Sequence, residues 1–166
     1  APRALMARAL ARAARGLASR AAFEEALAHP ATVASPAERA EVLVAMAGTL
    51  EPGEAEAAAT EALETARRLE LGGVQVAALT RRADARLRAG RAEDALADAR
   101  LATELLGEFT PGVPEGEVLA TYARALAGAG SAEAAKQETL ARDWYAWAAR
   151  GLPDDLARSL RETFTL

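Results

Sequence analysis

Apolar positions recur along this chain at helical spacing, and the places that should face a core are filled mostly by alanine rather than by bulky side chains. In RADARLRAGRAEDALADARLATELL, Arg82 to Leu106, small residues fall at Ala83, Ala95 and Ala102, with Leu79 one turn before the first and Gly90 breaking the run. Start and stop signals divide the chain into about nine helices. Pro2 suits a first helical turn, closing at Gly16 or Leu17. Ser19 can cap a second helix, which stops at His29-Pro30 because proline disfavours helical geometry in the residue before it. SPAE at 35–38 has the form of a capping box and opens a third helix to about Leu50. Pro52 starts a fourth, closed by Gly72-Gly73. A fifth is expected from about Val74 to Ala89 and a sixth from Arg91 to Leu106, followed by the loop GEFTPGVP at 107–114. The seventh spans roughly Glu115 to Ala129, the eighth runs from Ser131 to Gly151, and Pro153 opens a short last helix. No segment sustains the period-two alternation of a strand, so the expected fold class is all-α.

Short connections make consecutive helices antiparallel, and the resulting hairpins repeat. The pattern Leu79, Ala83, Ala95, Ala102 has counterparts at Leu43, Ala47, Ala59, Ala66 and at Leu119, Ala123, Gly130, Ala135, with a fainter one at Leu10, Ala14, Ala26. The alanine opening the second helix of each hairpin stands at 26, 59, 95 and 135, separations of 33, 36 and 40 residues. That range belongs to helix-hairpin solenoids. With AGRAEDAL (89–96) as the turn between helices and AGAGSAEAA (127–135) as a looser copy, the chain resembles the tetratricopeptide repeat. The frequent tryptophan, tyrosine and closing proline of that family are missing from the third repeat, where Arg86 and Gly107 stand instead. The resemblance implies one domain over 1–166, a right-handed superhelix of about four antiparallel hairpins (3–30, 36–71, 74–107, 115–151) and a C-terminal capping helix at 153–164. It also implies a concave wall built by the first helix of each hairpin. Groove positions carried over by phase are Arg8, Arg15, Thr80, Asp84, Arg88 and Arg124, a wall suited to a protein or peptide partner with an acidic segment or a C-terminal carboxylate.

Composition sharpens this picture. Alanine is more than a quarter of the 166 residues and aromatics only 4%, so stability must come from many close helix contacts. Absence of cysteine excludes disulfide scaffolds, thiolate metal sites and cysteine nucleophiles, and a net charge of −4 argues against a nucleic-acid surface. No apolar run is long enough to span a bilayer. The first twenty residues hold five arginines and no acid, superficially like a transit peptide. They read better as an amphipathic helix with Leu5, Met6, Leu10 and Leu17 inside and Arg3, Arg8, Arg12 and Arg15 outside. Opening on alanine suits a processed product or a domain cut from a longer chain.

Reactive groups are sparse. The sole histidine, His29, reads as a charge partner at a helix end, Ser35 and Ser131 as caps, and the acidic runs EPGEAEAAATEALE and RAEDALADAR as solvated helix faces. No catalytic set, metal site or cofactor site is expected. One cluster stands apart: Trp144, Tyr145 and Trp147, with Leu140 on the same stripe. Leu152, Leu156, Leu160 and Phe164 recur every fourth residue after it, so the last helix is expected to cap the repeat by covering the tryptophans, with partner docking as the alternative. The phrase LPDDLARSL (152–160) resembles the end of the helical-repeat region of large bacterial transcriptional activators and signalling ATPases; Pro153, Asp154, Arg158 and Ser159 match, and Leu160 replaces the usual phenylalanine.

These readings lead to a cytoplasmic protein-interaction or regulatory module of a larger bacterial transcriptional regulator or signalling protein. An enzyme, a membrane contact and direct nucleic-acid contact are not expected. The alternative is a sensor of a small-molecule effector, with Phe109 and Val113 of the 107–114 loop lining its pocket. Self-association through an uncapped end is a further reading.

Overall fold

Proline fixes where several helices begin, and alanine fixes how closely they pack. The computed structural model describes Met6, residues 20–106 and residues 115–163. Among these residues there are nine helices and no strand. They are α1 (Arg20–Ala28), α2 (Pro30–Ala34), α3 (Pro36–Ala47), α4 (Pro52–Arg68), α5 (Gly72–Arg88), α6 (Ala92–Leu106), α7 (Glu115–Gly128), α8 (Ala134–Ala148) and α9 (Asp154–Thr163). Pro30, Pro36 and Pro52 sit in first turns, where the missing N–H costs nothing. The helix expected near 2–17, the cap at Ser19 and the loop at 107–114 lie outside the described residues.

Several boundaries differ from expectation for local reasons. Pro30 does not end the helical path: it starts the five-residue α2, whose N-terminus His29 caps by accepting from the Ala31 N–H at 3.2 Å through Nδ1. His29 is thus an N-cap, not a charge partner at a C-terminus. The capping box at 35–38 forms by half. Ser35 Oγ accepts from the Glu38 N–H at 3.3 Å, but the Ser35 N–H turns back to the Thr32 carbonyl, and Glu38 Oε2 is buried without a hydrogen-bond partner. Helix α4 closes before the glycine pair, at Glu70, whose φ of +56° is the one positive value outside glycine among the described residues. The Leu71 N–H then returns to the Ala66 carbonyl at 2.8 Å, and Gly72 opens α5.

Connections of three to five residues at 48–51, 69–71, 89–91 and 129–133 reverse the chain between packed helices. Substantial contacts join each helix from α1 to α7 to its successor, and a slighter one joins α8 to α9. Next-but-one pairs α1–α3, α3–α5 and α5–α7 also touch. Among the described residues, no substantial packing joins helices further apart in chain order.

The interfaces are alanine with one or two large residues per helix. Phe23, Leu63, Val76, Leu79, Val118 and Leu126 are the large apolar side chains fully enclosed. Around them Ala26, Ala47, Ala59, Ala66, Ala83, Ala95, Ala102 and Ala123 are buried, as the spacing requires. One core cluster runs from α1 to α7, with Met6 packed against it, and a second joins α5, α6 and α7, with Ala134 of α8 packed against it. The last hairpin departs from the pattern: Ala135 is exposed, and Ala134 and the buried Ala141 take the inward positions. The cause is the entry turn. In α6 the Ala95 N–H reaches the Arg91 carbonyl four residues back, whereas the Ala134 N–H reaches Ser131 only three back, a tighter turn that rotates the helix face.

Ala95→Leu should lower stability by about 1–3 kcal/mol, because the added carbons have no room, while Ala97→Leu on the exposed side changes little. Thermal melts of the two variants check this. Glu70→Gly should raise stability by about 0.5–1 kcal/mol, since glycine tolerates the left-handed backbone there. A lowered urea midpoint would contradict that.

Candidate functional site

Helix α5 lies at the centre of the packing, touching α3, α4, α6 and α7. It carries four arginines, and together they tie it to α4, α6, α7 and the turn after α3. Arg81 pairs with Glu117 of α7, its guanidinium resting over Gly48, where an added Cβ would stand 3.2 Å from Cζ. Arg82 grips Asp98 of α6 with two bonds, Nε to Oδ2 at 2.7 Å and Nη2 to Oδ1 at 2.8 Å. Arg86 donates to Glu56 of α4 and to the same Asp98, both at 2.9 Å. Arg88 donates to the Leu50 carbonyl at 2.9 Å and to Asp84 at 3.0 Å. The arginines thus sort into two faces: 82 and 86 toward α4 and α6, 81 and 88 toward the turn after α3 and toward α7.

The first face is an enclosed polar network. The Asp98 side chain is only 8% exposed and that of Arg82 only 15%, so this is an ion pair taken largely out of water. Its bond to Asp98 raises the Arg82 guanidinium above its usual value, although burial works against the charge. Arg91 reaches Glu56 as well, so that carboxylate serves two arginines. Bonds from Arg86 and then Arg91 hold Glu56 below the usual carboxylate range, with burial opposing. The acidic runs around 56 and 94–98 are therefore not simply solvated faces: Glu56 and Asp98 bridge three helices. A sequence signal for this existed. Asp98 falls in the inward phase set by Ala95, Ala99 and Ala102, where a charge demands a partner.

The second face holds the residues expected to line a groove. Asp84 accepts from Arg88 and, at 3.0 Å, from Arg124 of α7, which also donates to Thr121 Oγ1 at 3.1 Å. Asp84, Arg88 and Arg124 are therefore brought together, but as a mutually satisfied cluster rather than a row of free charges. The guanidinium-bearing side chains remain about two-fifths open, Arg88 at 37% and Arg124 at 40%. Thr80 does not belong: it is buried, and its hydroxyl donates back to the Val76 carbonyl one turn earlier at 2.9 Å. Arg8 and Arg15 lie outside the described residues, as do Phe109 and Val113.

The aromatic cluster splits. Trp144 turns inward onto α7, where Gly116 leaves the space: a Cβ there would overlap the indole. Its Nε1 donates to Glu115 Oε2 at 3.0 Å. Burial pushes the Tyr145 phenol up, with Glu117 adding to the rise and Arg124 opposing it, so Tyr145 feels the charges of the second face. Trp147 is 62% exposed, and α9, whose main contact among the described residues is with α8, does not cover it. The expected cap over the tryptophans is thus not formed by the described part of α9.

Compared with known proteins, the chain matches no family model, no curated protein and no solved structure. Among the described residues no group of His, Asp and Glu could hold a metal ion, and no helix is long and apolar enough to cross a membrane.

Asp98→Ala, which strands Arg82 and Arg86, should cost about 3–5 kcal/mol. Asp94→Ala, at a side chain 58% exposed, should cost no more than about 0.5 kcal/mol. Chemical denaturation compares them. Because the folded pKa of Glu56 lies below its unfolded value, its contribution is full at neutral pH. It is lost as pH falls through the unfolded carboxylate value, about 4.3, toward the lower folded one. Glu56→Gln should lower stability at neutral pH and flatten the decline in acid, read from urea midpoints across that range.

Proposed function

We propose that this chain is a tetratricopeptide-like helical-hairpin module that binds a protein or peptide segment on the face shared by α3, α5 and α7. One observation carries the reading: these three helices, the first of each hairpin, touch in series and bring Asp84, Arg88 and Arg124 from two of them into one half-open cluster. Among the described residues substantial packing joins only helices one and two apart, which favours an open hairpin stack over a closed bundle. On this reading the superhelix is right-handed.

The chemistry of the face selects the partner. Arg88 and Arg124 share the single carboxylate of Asp84, so the cluster carries excess positive charge on two side chains that stay partly open to solvent. An acidic side chain or a terminal carboxylate can bond both guanidinium groups while Asp84 holds them in place. The module would serve a larger cytoplasmic bacterial regulator or signalling protein, with catalysis and DNA contact located in other domains.

A displayed peptide library selected on the chain should yield acidic sequences whose affinity falls with added salt. Arg88→Glu combined with Arg124→Glu should weaken the selected peptides at least tenfold, with helicity by circular dichroism retained. Equal binding by the double variant would remove this face from the reading.

A further inference from the structure

Large apolar side chains exposed among the described residues concentrate at one end of the molecule. Leu140 is 45% exposed, Trp147 62%, Leu152 40% and Leu156 54%, while only Val33 and Leu69 join them elsewhere. On α8 the residues Lys136, Leu140, Asp143 and Trp147 advance by four, three and four, a stripe on the side away from Ala134 and Ala141, and Arg150 follows in the turn after the helix. Leu140 and Trp147 flank Asp143, with one cation beyond each of them.

Helix α9 shows the complementary deficit. It has ten residues, and a helix of that length is marginal in water without an apolar face to bury. Among the described residues its main contact is with α8; Ala157 is buried, while Leu156, and Leu152 just before the helix, stay open. Its first turn carries Asp154 and Asp155. Gly151, with φ of +82°, makes the turn that leads from α8 toward it.

We propose that the two deficits are met across a homodimer, in which α9 of each copy lies on the Leu140–Trp147 stripe of the other's α8. The exchange is reciprocal, as two-fold symmetry requires, and covers both apolar faces at once. Charge selects this pairing over α8 against α8. Two antiparallel α8 stripes would set Leu140 against Trp147, but also Lys136 against Arg150 and Asp143 against its own copy. The acidic first turn of α9 instead meets the cation at one end of the stripe, about 10 Å along the helix from Asp143, with Leu156 turned toward the apolar pair. This contact is separate from the arginine cluster of α5 and α7 and does not depend on it.

Sedimentation velocity of the full chain at high micromolar concentration tests it. Wild type should sediment as a dimer. Trp147→Glu and Leu156→Glu should each sediment as monomers with unchanged helicity, since both side chains face solvent. Should either lose helicity, Trp147→Gln or Leu156→Gln replaces it. Mixing the two glutamate variants decides the pairing: each supplies the face that the other lacks, so dimers should return, held by one intact contact of the two. A monomeric wild type, a Trp147→Glu chain as dimeric as wild type, or a mixture no more associated than its components would overturn the proposal.

Discussion

Close approach of helices over alanine is the constraint on which the rest of this structure depends. Ala83, Ala95 and Ala102 are fully enclosed where neighbouring helices meet. Each such residue removes little apolar surface from water, at about 25 cal/mol per Å², so the gain lies in many interatomic contacts rather than in a few bulky anchors. Thin interfaces have a second effect. They bring the flanks of neighbouring helices within reach of long side chains, and the arginines of α5 use that reach on both sides.

Alanine seams are smooth, and a smooth seam does little to fix how far one helix slides along the next. The Arg82–Asp98 pair supplies what the alanines lack: two bonds of fixed geometry between α5 and α6, joined through Arg86 to Glu56 of α4. Buried ion pairs often add little net stability because desolvation offsets attraction, but an unmatched member is costly, which penalises every register but one. On the other flank, Arg88 binds a backbone carbonyl at the end of the α3–α4 turn, so even a loop is tied to the central helix.

Much of the helical framework was legible in residue order. Small residues seven apart, such as Ala59 with Ala66 and Ala95 with Ala102, marked inward faces because helical geometry leaves them no alternative once one is buried. What escaped was decided by neighbours distant in sequence or by a single hydrogen bond. Ala135 was assigned inward by its likeness to Ala95, yet one three-residue turn at Ser131 rotates α8 and exposes it. Phase placed Thr80 beside Asp84 but could not show that its hydroxyl would be spent on its own helix. Nor could it show that Asp84 would be claimed by Arg124, forty residues on. The glycine pair at 72–73 drew the end of α4 too far, because nothing local marks Glu70 as the residue that adopts the left-handed turn.

The Gly116–Trp144 fit has a spectroscopic consequence. The protein has two indoles: one stacked on a bare backbone and bonded to Glu115, the other standing in solvent three residues later. Their fluorescence should differ in colour and in access to dissolved quenchers. The final hairpin therefore carries a built-in pair of optical probes, one reporting on its interior and one on whatever settles against its outer side.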